Sequence, residues 1–135
     1  MKGKILIDTS VWIDFFRGKD SKLIEQVGGL LKAGKAVYTG IIALELINGA
    51  KGNKELQVLH DAFDTMEKIN EKETTCISAG RMGYEIARKG HTLGVVDLLI
   101  ARIAIENDIS LMTFDEHFKT IAKHSELRLI SGMIF

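Results

Sequence analysis

The segment ILIDTSVWIDFFRG (residues 5–18) decides the fold, because two different apolar patterns meet inside it at a carboxylate. The run KILID (4–8) is too continuously apolar to alternate. It predicts a short strand buried on both faces, as in a parallel sheet. The run SVWIDFFRG (10–18) has helical spacing. Asp8 therefore stands where a buried strand passes into a helix.

The rest of the chain alternates between the same two patterns. Ser10 is the predicted N-cap of the first helix, and Gly18 is its predicted end. The predicted helices cover residues 10–18, 21–34, 41–50, 54–66, 74–90, 95–108 and 116–124, and the predicted strands cover 4–8, 36–40, 67–70, 109–114 and 127–130. This alternation predicts an α/β fold of three layers, with a central parallel sheet between helices. Ligands of such sheets bind beyond the carboxyl ends of the strands, where Asp8 lies.

Composition narrows the class of protein. We expect one domain over residues 1–135, since the chain has no proline, no repeat and no low-complexity tract. No apolar stretch is long enough to span a membrane, and no signal peptide precedes the first strand. A single cysteine, Cys76, excludes an internal disulfide and suits the cytoplasm; we expect it in the core. The formal net charge of +0 argues against a general nucleic-acid binder, but not against a site where metal ions hold phosphates.

Four acidic residues stand in apolar surroundings. Asp8 and Asp115 each follow a predicted strand, so both point to one edge of the sheet. Glu45 and Asp97 lie in apolar helices, and neither has a basic residue three or four positions away. Burying an unpaired carboxylate costs several kcal/mol, or forces it to take up a proton. A shared hard cation such as Mg²⁺ or Mn²⁺ would explain all four.

Each acid also has an ordinary structural explanation. Asp8 fits a turn or cap before the first helix, and Asp97 suits the positive end of its own helix. Asp115 fits a cap of the last helix, a role that Thr113 could take instead. Glu45 has the weakest such explanation, because it lies inside an apolar helix. The joint pattern therefore carries more information than any single acid.

Other reactive side chains give weaker signals. Asp14 and Asp108 are expected to be surface charges, and Glu116 to be a cap. His117 lies close to Asp115, but a solvated helix histidine is the preferred interpretation. The four histidines show no zinc-protease spacing. The sequence also has no phosphate-binding glycine loop and no nucleophile elbow.

Four segments in order, ILIDTSVWIDFFRG, ALELINGA, GVVDLLIARIAIEND and LMTFDEHF, together resemble the PIN domain, and most closely the VapC-type toxins of prokaryotic toxin–antitoxin pairs. The resemblance covers essentially the whole chain. It implies an endoribonuclease that cleaves single-stranded RNA with Mg²⁺ or Mn²⁺ and leaves 5′-phosphate and 3′-hydroxyl ends. The metal-binding and catalytic acids carried over by the resemblance are Asp8, Glu45, Asp97 and Asp115. Ser10 and Thr113 match hydroxyl positions that would assist the metal or water.

The resemblance also implies partners. These are an RNA substrate, a cognate antitoxin protein and a second copy of the chain in a homodimer. An apolar groove would suit the antitoxin. The candidates for it are VWIDFF (11–16) and the helix at 54–66, although most of these side chains are expected in the core. Basic residues near the site would hold the RNA. The candidates are Lys19, Lys22, Lys51, Lys54, Arg81, Arg88 and Lys89.

Three other classes compete with the ribonuclease. A haloacid-dehalogenase-type phosphotransferase needs an acid two residues after the first, where this chain has Ser10. A receiver-like signalling module needs a late lysine that LRLISG (127–132) lacks. A PIN fold that only binds RNA or serves as a scaffold remains the alternative, although the four acids argue against it.

Overall fold

The computed structural model describes residues 3–130. Helices and strands alternate along nearly all of this range, as the sequence predicts. The elements are β1 (Ile5–Ile7), α1 (Thr9–Arg17), α2 (Ser21–Lys32), β2 (Ala36–Tyr38), α3 (Gly40–Asn48), α4 (Asn53–Asp64), β3 (Glu67–Lys68), α5 (Thr75–Arg88), α6 (Val95–Glu106), β4 (Ser110–Met112) and α7 (His117–Lys123).

The sheet has four parallel strands in the order β3-β2-β1-β4. Leu6 of β1 stands opposite Val37 of β2 on one side and Leu111 of β4 on the other. The chain builds outward from β1 through β2 to β3, and then returns to place β4 on the opposite side of β1. The strand order therefore reverses between β1 and β4, which is the position where open parallel sheets bind ligands.

Both faces of the sheet are covered. Successive side chains of a strand point to opposite faces, yet Leu6 and Ile7 are both buried, as are Leu111 and Met112. The helix α6 lies deep in this core, with Ile100, Ala101 and neighbouring apolar residues shielded from water. Helices on both faces of a parallel sheet give the predicted three-layer α/β arrangement.

The start of α1 differs from the prediction. The N-cap is Asp8 rather than Ser10, and the helix begins at Thr9. Asp8 has extended backbone, and its side chain accepts a hydrogen bond from the Ser10 backbone N–H, which is what an N-cap does. The predicted end is confirmed, because Gly18 has a φ of 70° and closes the helix in the left-handed conformation.

Two further predictions are wrong. The segment 127–130 is not a strand of the sheet; it meets β4 only through an isolated parallel bridge between Leu111 and Leu129. Cys76 is exposed rather than in the core, because it lies on the outer face of α5, where its thiol donates to Glu71. Among residues 3–130, no helix has the length and apolar character needed to cross a bilayer.

Candidate active site

Asp8 is buried at the carboxyl end of β1, with an exposed fraction of 5%. One of its oxygens, Oδ2, accepts hydrogen bonds of 2.8 Å from both Ser10 Oγ and Thr113 Oγ1. Each hydroxyl has one proton, and both protons are used here, so the 3.4 Å contact between the two hydroxyl oxygens is not a third bond. Within residues 3–130, the other oxygen, Oδ1, accepts no hydrogen bond. Asp8 thus has one oxygen held by the protein and one available to a ligand.

The same two hydroxyls hold the loop that follows β4. Ser10 Oγ accepts from the Phe114 backbone N–H at 3.1 Å, and Thr113 Oγ1 accepts from the Asp115 backbone N–H at 3.0 Å. The segment between Met112 and α7 is therefore bound to the beginning of α1. Asp8 organises the backbone that carries the next acid, Asp115.

Asp97 and Asp115 lie together with His117. One side-chain atom from each falls within 4.8 Å of the other two, the one such group of three or more acidic, histidine or cysteine residues found in the range 3–130. The imidazole Nδ1 of His117 is 3.2 Å from Asp115 Oδ1 and 3.7 Å from Asp97 Oδ2. Asp97 belongs to the first turn of α6, where the positive end of the helix favours a carboxylate. Asp115 Oδ1 also accepts from the His117 backbone N–H at 2.9 Å, although the N-cap of α7 is Glu116 and not Asp115.

Glu45 approaches from α3 and is half-buried. Its Oε1 accepts a 2.8 Å hydrogen bond from Thr9 Oγ1, the first residue of α1. Neither Glu45 nor Asp8 belongs to the group of Asp97, Asp115 and His117. The structure thus divides the four predicted acids into the pair Asp97 and Asp115 and two further carboxylates, each of which accepts a hydrogen bond from a hydroxyl of α1.

The charges of the four acids still act on one another. Burial and the neighbouring carboxylates of Asp115 and Asp8, with a smaller effect of Glu45, raise the pKa of Asp97 to about 6, against an opposing effect of His117. Like charges gathered in this way favour protonation, or a cation that neutralises them. Such shifts are concentrated at functional sites.

The donor set fits a divalent metal. Carboxylate oxygens are the preferred ligands of Mg²⁺ and Mn²⁺, and imidazole nitrogen is acceptable to Mn²⁺ and the later transition metals. The residues that could hold the ion are Asp97, Asp115 and His117, with Asp8 Oδ1 as a further oxygen.

A groove lies beside Glu45, between α1, α3 and α4, with a volume of about 550 Å³. Its apolar lining includes Ile13, Phe16 and Val58, all of them exposed. Glu45 belongs to its wall, and so do Lys51 and Lys54, two of the predicted RNA-contacting residues. The groove therefore joins apolar surface, positive charge and one of the four acids.

The other predicted basic residues have no comparable position. Arg88 donates to the Tyr84 hydroxyl on α5. Lys19, Lys22, Arg81 and Lys89 are exposed and form no ion pair with any residue between 3 and 130. None of these five basic residues forms a hydrogen bond or ion pair with the four acids within residues 3–130.

His117 is the residue that sequence reasoning undervalued. It was expected to be solvated, and its side chain is indeed 68% exposed, but its ring nitrogen faces two of the predicted acids. The available signal was the closeness of His117 to Asp115, two residues apart in the sequence.

These features define a parallel α/β fold with an acidic site at the strand-order reversal. A family model described as PIN domain matches residues 5–124. The chain belongs to the PIN domain family.

Named relatives narrow the comparison. The chain is 30% identical over 131 residues to VapC ribonuclease Mb1587 of Mycobacterium bovis, which covers 94% of this chain and 98% of the relative. It is 30% identical over 121 residues to ribonuclease VapC1 of Methanocaldococcus jannaschii, covering 89% and 82%.

Solved structures with the same fold include two VapBC complexes. DNA-bound VapBC from Salmonella typhimurium has a TM-score of 0.77 at 22% identity, covering 94% of this chain and 96% of the other. VapBC-1 from nontypeable Haemophilus influenzae has a TM-score of 0.76 at 22% identity, covering 93% and 96%.

Proposed function

We propose that this protein is a metal-dependent endoribonuclease that hydrolyses single-stranded RNA and serves as the toxin of a toxin–antitoxin pair. The observation that carries the proposal is that Asp97 and Asp115 bring carboxylate oxygens within 4.8 Å of each other, while the charge of Asp8 also acts on Asp97. The VapC ribonucleases of Mycobacterium bovis and Methanocaldococcus jannaschii, matched over 98% and 82% of their lengths, support the same activity.

The cation would be held by Asp97, Asp115 and the free oxygen of Asp8. When bound, Mg²⁺ or Mn²⁺ supplies a Lewis acid that lowers the pKa of a water and neutralises charge on the phosphate. Ser10 and Thr113 keep Asp8 Oδ2 occupied, so that Asp8 offers Oδ1 to the ligand. Glu45, oriented by Thr9, adds a fourth negative charge that favours a cation in the site.

RNA is attracted to this acidic site by nearby positive charge. Lys51 and Lys54 lie in the wall of the groove that also contains Glu45. Their ammonium groups would bind the phosphates that flank the scissile bond, while the cation accommodates the scissile phosphate itself. This division of roles explains how a chain of zero net charge can act on a polyanion.

The groove also suits a protein antitoxin. Exposed Ile13, Phe16 and Val58 form an apolar surface that an amphipathic segment would cover. Occupying the groove would cover Lys51 and Lys54 and would bring the antitoxin close to Glu45. An antitoxin bound there would therefore block RNA. The likeness of this fold to VapBC toxin–antitoxin complexes supports this assignment of the partner.

The direct test is cleavage of a labelled single-stranded RNA by the purified protein in Mg²⁺, in Mn²⁺ and in EDTA. Asp97→Asn removes one predicted ligand, and Asp61→Asn, an exposed carboxyl on α4 that accepts from Gln57, is the matched control. We expect cleavage that needs metal, is lost in Asp97→Asn and persists in Asp61→Asn. Metal binding without cleavage of any RNA would instead favour an RNA-binding or scaffolding domain. Equal cleavage by all three proteins would refute the site.

A further inference from the structure

His117 is positioned by the same loop that carries Asp115. It is the first residue of α7, two positions after Asp115. Its backbone N–H donates to Asp115 Oδ1 at 2.9 Å, and its ring Nδ1 lies 3.2 Å from that same oxygen. The backbone bond holds the Asp115 carboxylate against the start of α7, next to the residue that bears the imidazole.

The imidazole also reaches the second acid of the group. Nδ1 lies 3.7 Å from Asp97 Oδ2, longer than a hydrogen bond but short enough for one ion to touch both atoms. Carboxylate and imidazole ligands stand about 2 Å from a bound transition metal, so ligand atoms of one ion are typically 3–4 Å apart. The spacing of His117 from both acids matches that of ligands of a single ion.

We propose that His117 Nδ1 is a nitrogen ligand of the divalent cation held by Asp97 and Asp115. The inference rests on the proposed function, because it concerns the same metal site. An imidazole ligand favours Mn²⁺ and later transition metals over Mg²⁺, which prefers oxygen. This site would therefore select Mn²⁺ over Mg²⁺ more strongly than a site made of carboxylates alone.

A different role for His117 makes the opposite prediction. If the imidazole only donates a hydrogen bond to the two carboxylates and offsets their charge, it competes with the cation. Its removal would then strengthen metal binding. If it is a ligand, its removal weakens Mn²⁺ binding and affects Mg²⁺ less. The two roles thus differ in the sign of a measurable change.

The experiment measures Mn²⁺ and Mg²⁺ dissociation constants by titration calorimetry on the full chain. The variants are His117→Ala, Asp97→Asn and His60→Ala, the last an exposed histidine on α4 that serves as the control. We expect His117→Ala to weaken Mn²⁺ binding by about tenfold or more, and Mg²⁺ binding by less, while His60→Ala leaves both unchanged. Because His117 is exposed, its removal leaves the core intact, which circular dichroism checks.

Pulsed electron paramagnetic resonance on the Mn²⁺-loaded protein gives a second readout that does not depend on activity. Hyperfine coupling to a directly bound nitrogen should be present in the wild type and in His60→Ala, and absent in His117→Ala. Mn²⁺ that binds without nitrogen coupling, and equally or more tightly in His117→Ala, would overturn the histidine ligand but leave the carboxylate site standing. Mn²⁺ binding that is insensitive to Asp97→Asn would overturn the metal site and the proposed function with it.

Discussion

The hydroxyl of Thr113 donates a 2.8 Å hydrogen bond to Asp8 Oδ2, and so joins the ends of β1 and β4 across 105 residues of chain. The same hydroxyl accepts from the Asp115 backbone N–H. One side chain therefore fixes the buried acid of β1 and the loop that bears a second acid. Removing the Thr113 hydroxyl should therefore reduce both the stability of the fold and the affinity for metal.

Thr113→Val keeps the shape of the side chain and removes both hydrogen bonds. We expect the free energy of unfolding to fall by about 1.5–3 kcal/mol, because a bond to a buried carboxylate is lost. Urea denaturation measures this loss, and Mn²⁺ titration should show weaker binding. Thr113→Ser is the control, since it retains the hydroxyl and should preserve most of both properties. Normal metal binding by the valine variant would show that the loop is held by other contacts.

Asp97→Asn should stabilise the metal-free protein at neutral pH. The pKa of Asp97 is raised to about 6 by burial and by the carboxylates of Asp115 and Asp8. A raised pKa favours the protonated acid in the folded state, so its contribution to stability is complete below the unfolded pKa and is lost as pH rises through about 6. Asp97→Asn carries an amide that does not ionise, so this variant loses no stability at position 97 as the pH rises. We expect a gain of about 2 kcal/mol at pH ~7.5 in EDTA and none near pH ~4. An equal effect at both pH values would contradict the ionisation argument.

Acid stability should depend on a network at the other end of α6. Buried Thr75 donates to Glu106 Oε1 at 2.6 Å, and Arg102 donates to Oε2 at 3.1 Å. Burial raises the pKa of Glu106, but these two hydrogen bonds and the charge of Arg102 outweigh it and lower the pKa overall. A lowered pKa gives stability that is present above the unfolded pKa and is lost as pH falls through the folded one.

The test of that network is Thr75→Val, which removes a donor to the carboxylate. We expect its acid unfolding to begin at a higher pH than that of the wild type, as followed by circular dichroism. Thr75→Ser keeps the donor and should unfold in acid like the wild type. The idea fails if the valine and serine variants have the same acid midpoint.

Two glycines of α5 should respond oppositely to alanine. A Cβ at Gly80 would meet nothing within 4 Å, so Gly80→Ala should gain up to about 1 kcal/mol of helix propensity. A Cβ at Gly83 would lie 2.5 Å from Leu98 Cδ1, and Leu98 is buried beside Asp97. Gly83→Ala should therefore lose stability by about 1–3 kcal/mol through overpacking. Thermal unfolding of the pair measures the difference, and similar melting temperatures would mean that Leu98 moves aside freely.

The proposed antitoxin groove can be tested with a charge. Val58 is 45% exposed in the groove, whereas Ile77 is 76% exposed on α5 outside it. Val58→Glu should weaken the affinity of the protein for a cognate antitoxin by about tenfold or more, because a charged side chain would replace an apolar one beneath the bound antitoxin. Ile77→Glu should leave that affinity unchanged. Surface plasmon resonance measures the dissociation constant of each variant for the antitoxin. An equal loss of affinity in the two variants would show that the antitoxin does not bind in this groove.

The fold was largely accessible from the sequence, because buried parallel strands and amphipathic helices leave clear apolar patterns. The predicted last strand, 127–130, is the exception, because it is not a strand of the sheet. LRLI has strand-like composition, but only Leu129 reaches β4, since strand pairing is decided by tertiary position. Similarly, Asp8 and Ser10 are both good caps on propensity alone, and the observed choice of Asp8 depends on where β1 stops.

The sequence indicates which acids belong to the candidate site, but it does not indicate how they are arranged in space. Apolar flanks identified Glu45 and Asp97, and strand ends identified Asp8 and Asp115. That Asp97 and Asp115 form the tight pair depends on how α6 and the β4–α7 loop approach each other, which no local pattern encodes. The side chain of His117 looks like that of any exposed histidine until the structure brings it to Asp97, a residue of a different helix.

The pairing of β1 with β4 also has a consequence for the moment at which the protein is made. The ribosome releases β1 about a hundred residues before β4 and the loop bearing Asp115. An unfinished chain holds Asp8 without Thr113, and Asp97 without Asp115 and His117. The four acids therefore cannot come together until β4 and the loop after it have left the ribosome, so the proposed metal site is completed late in the synthesis of this domain.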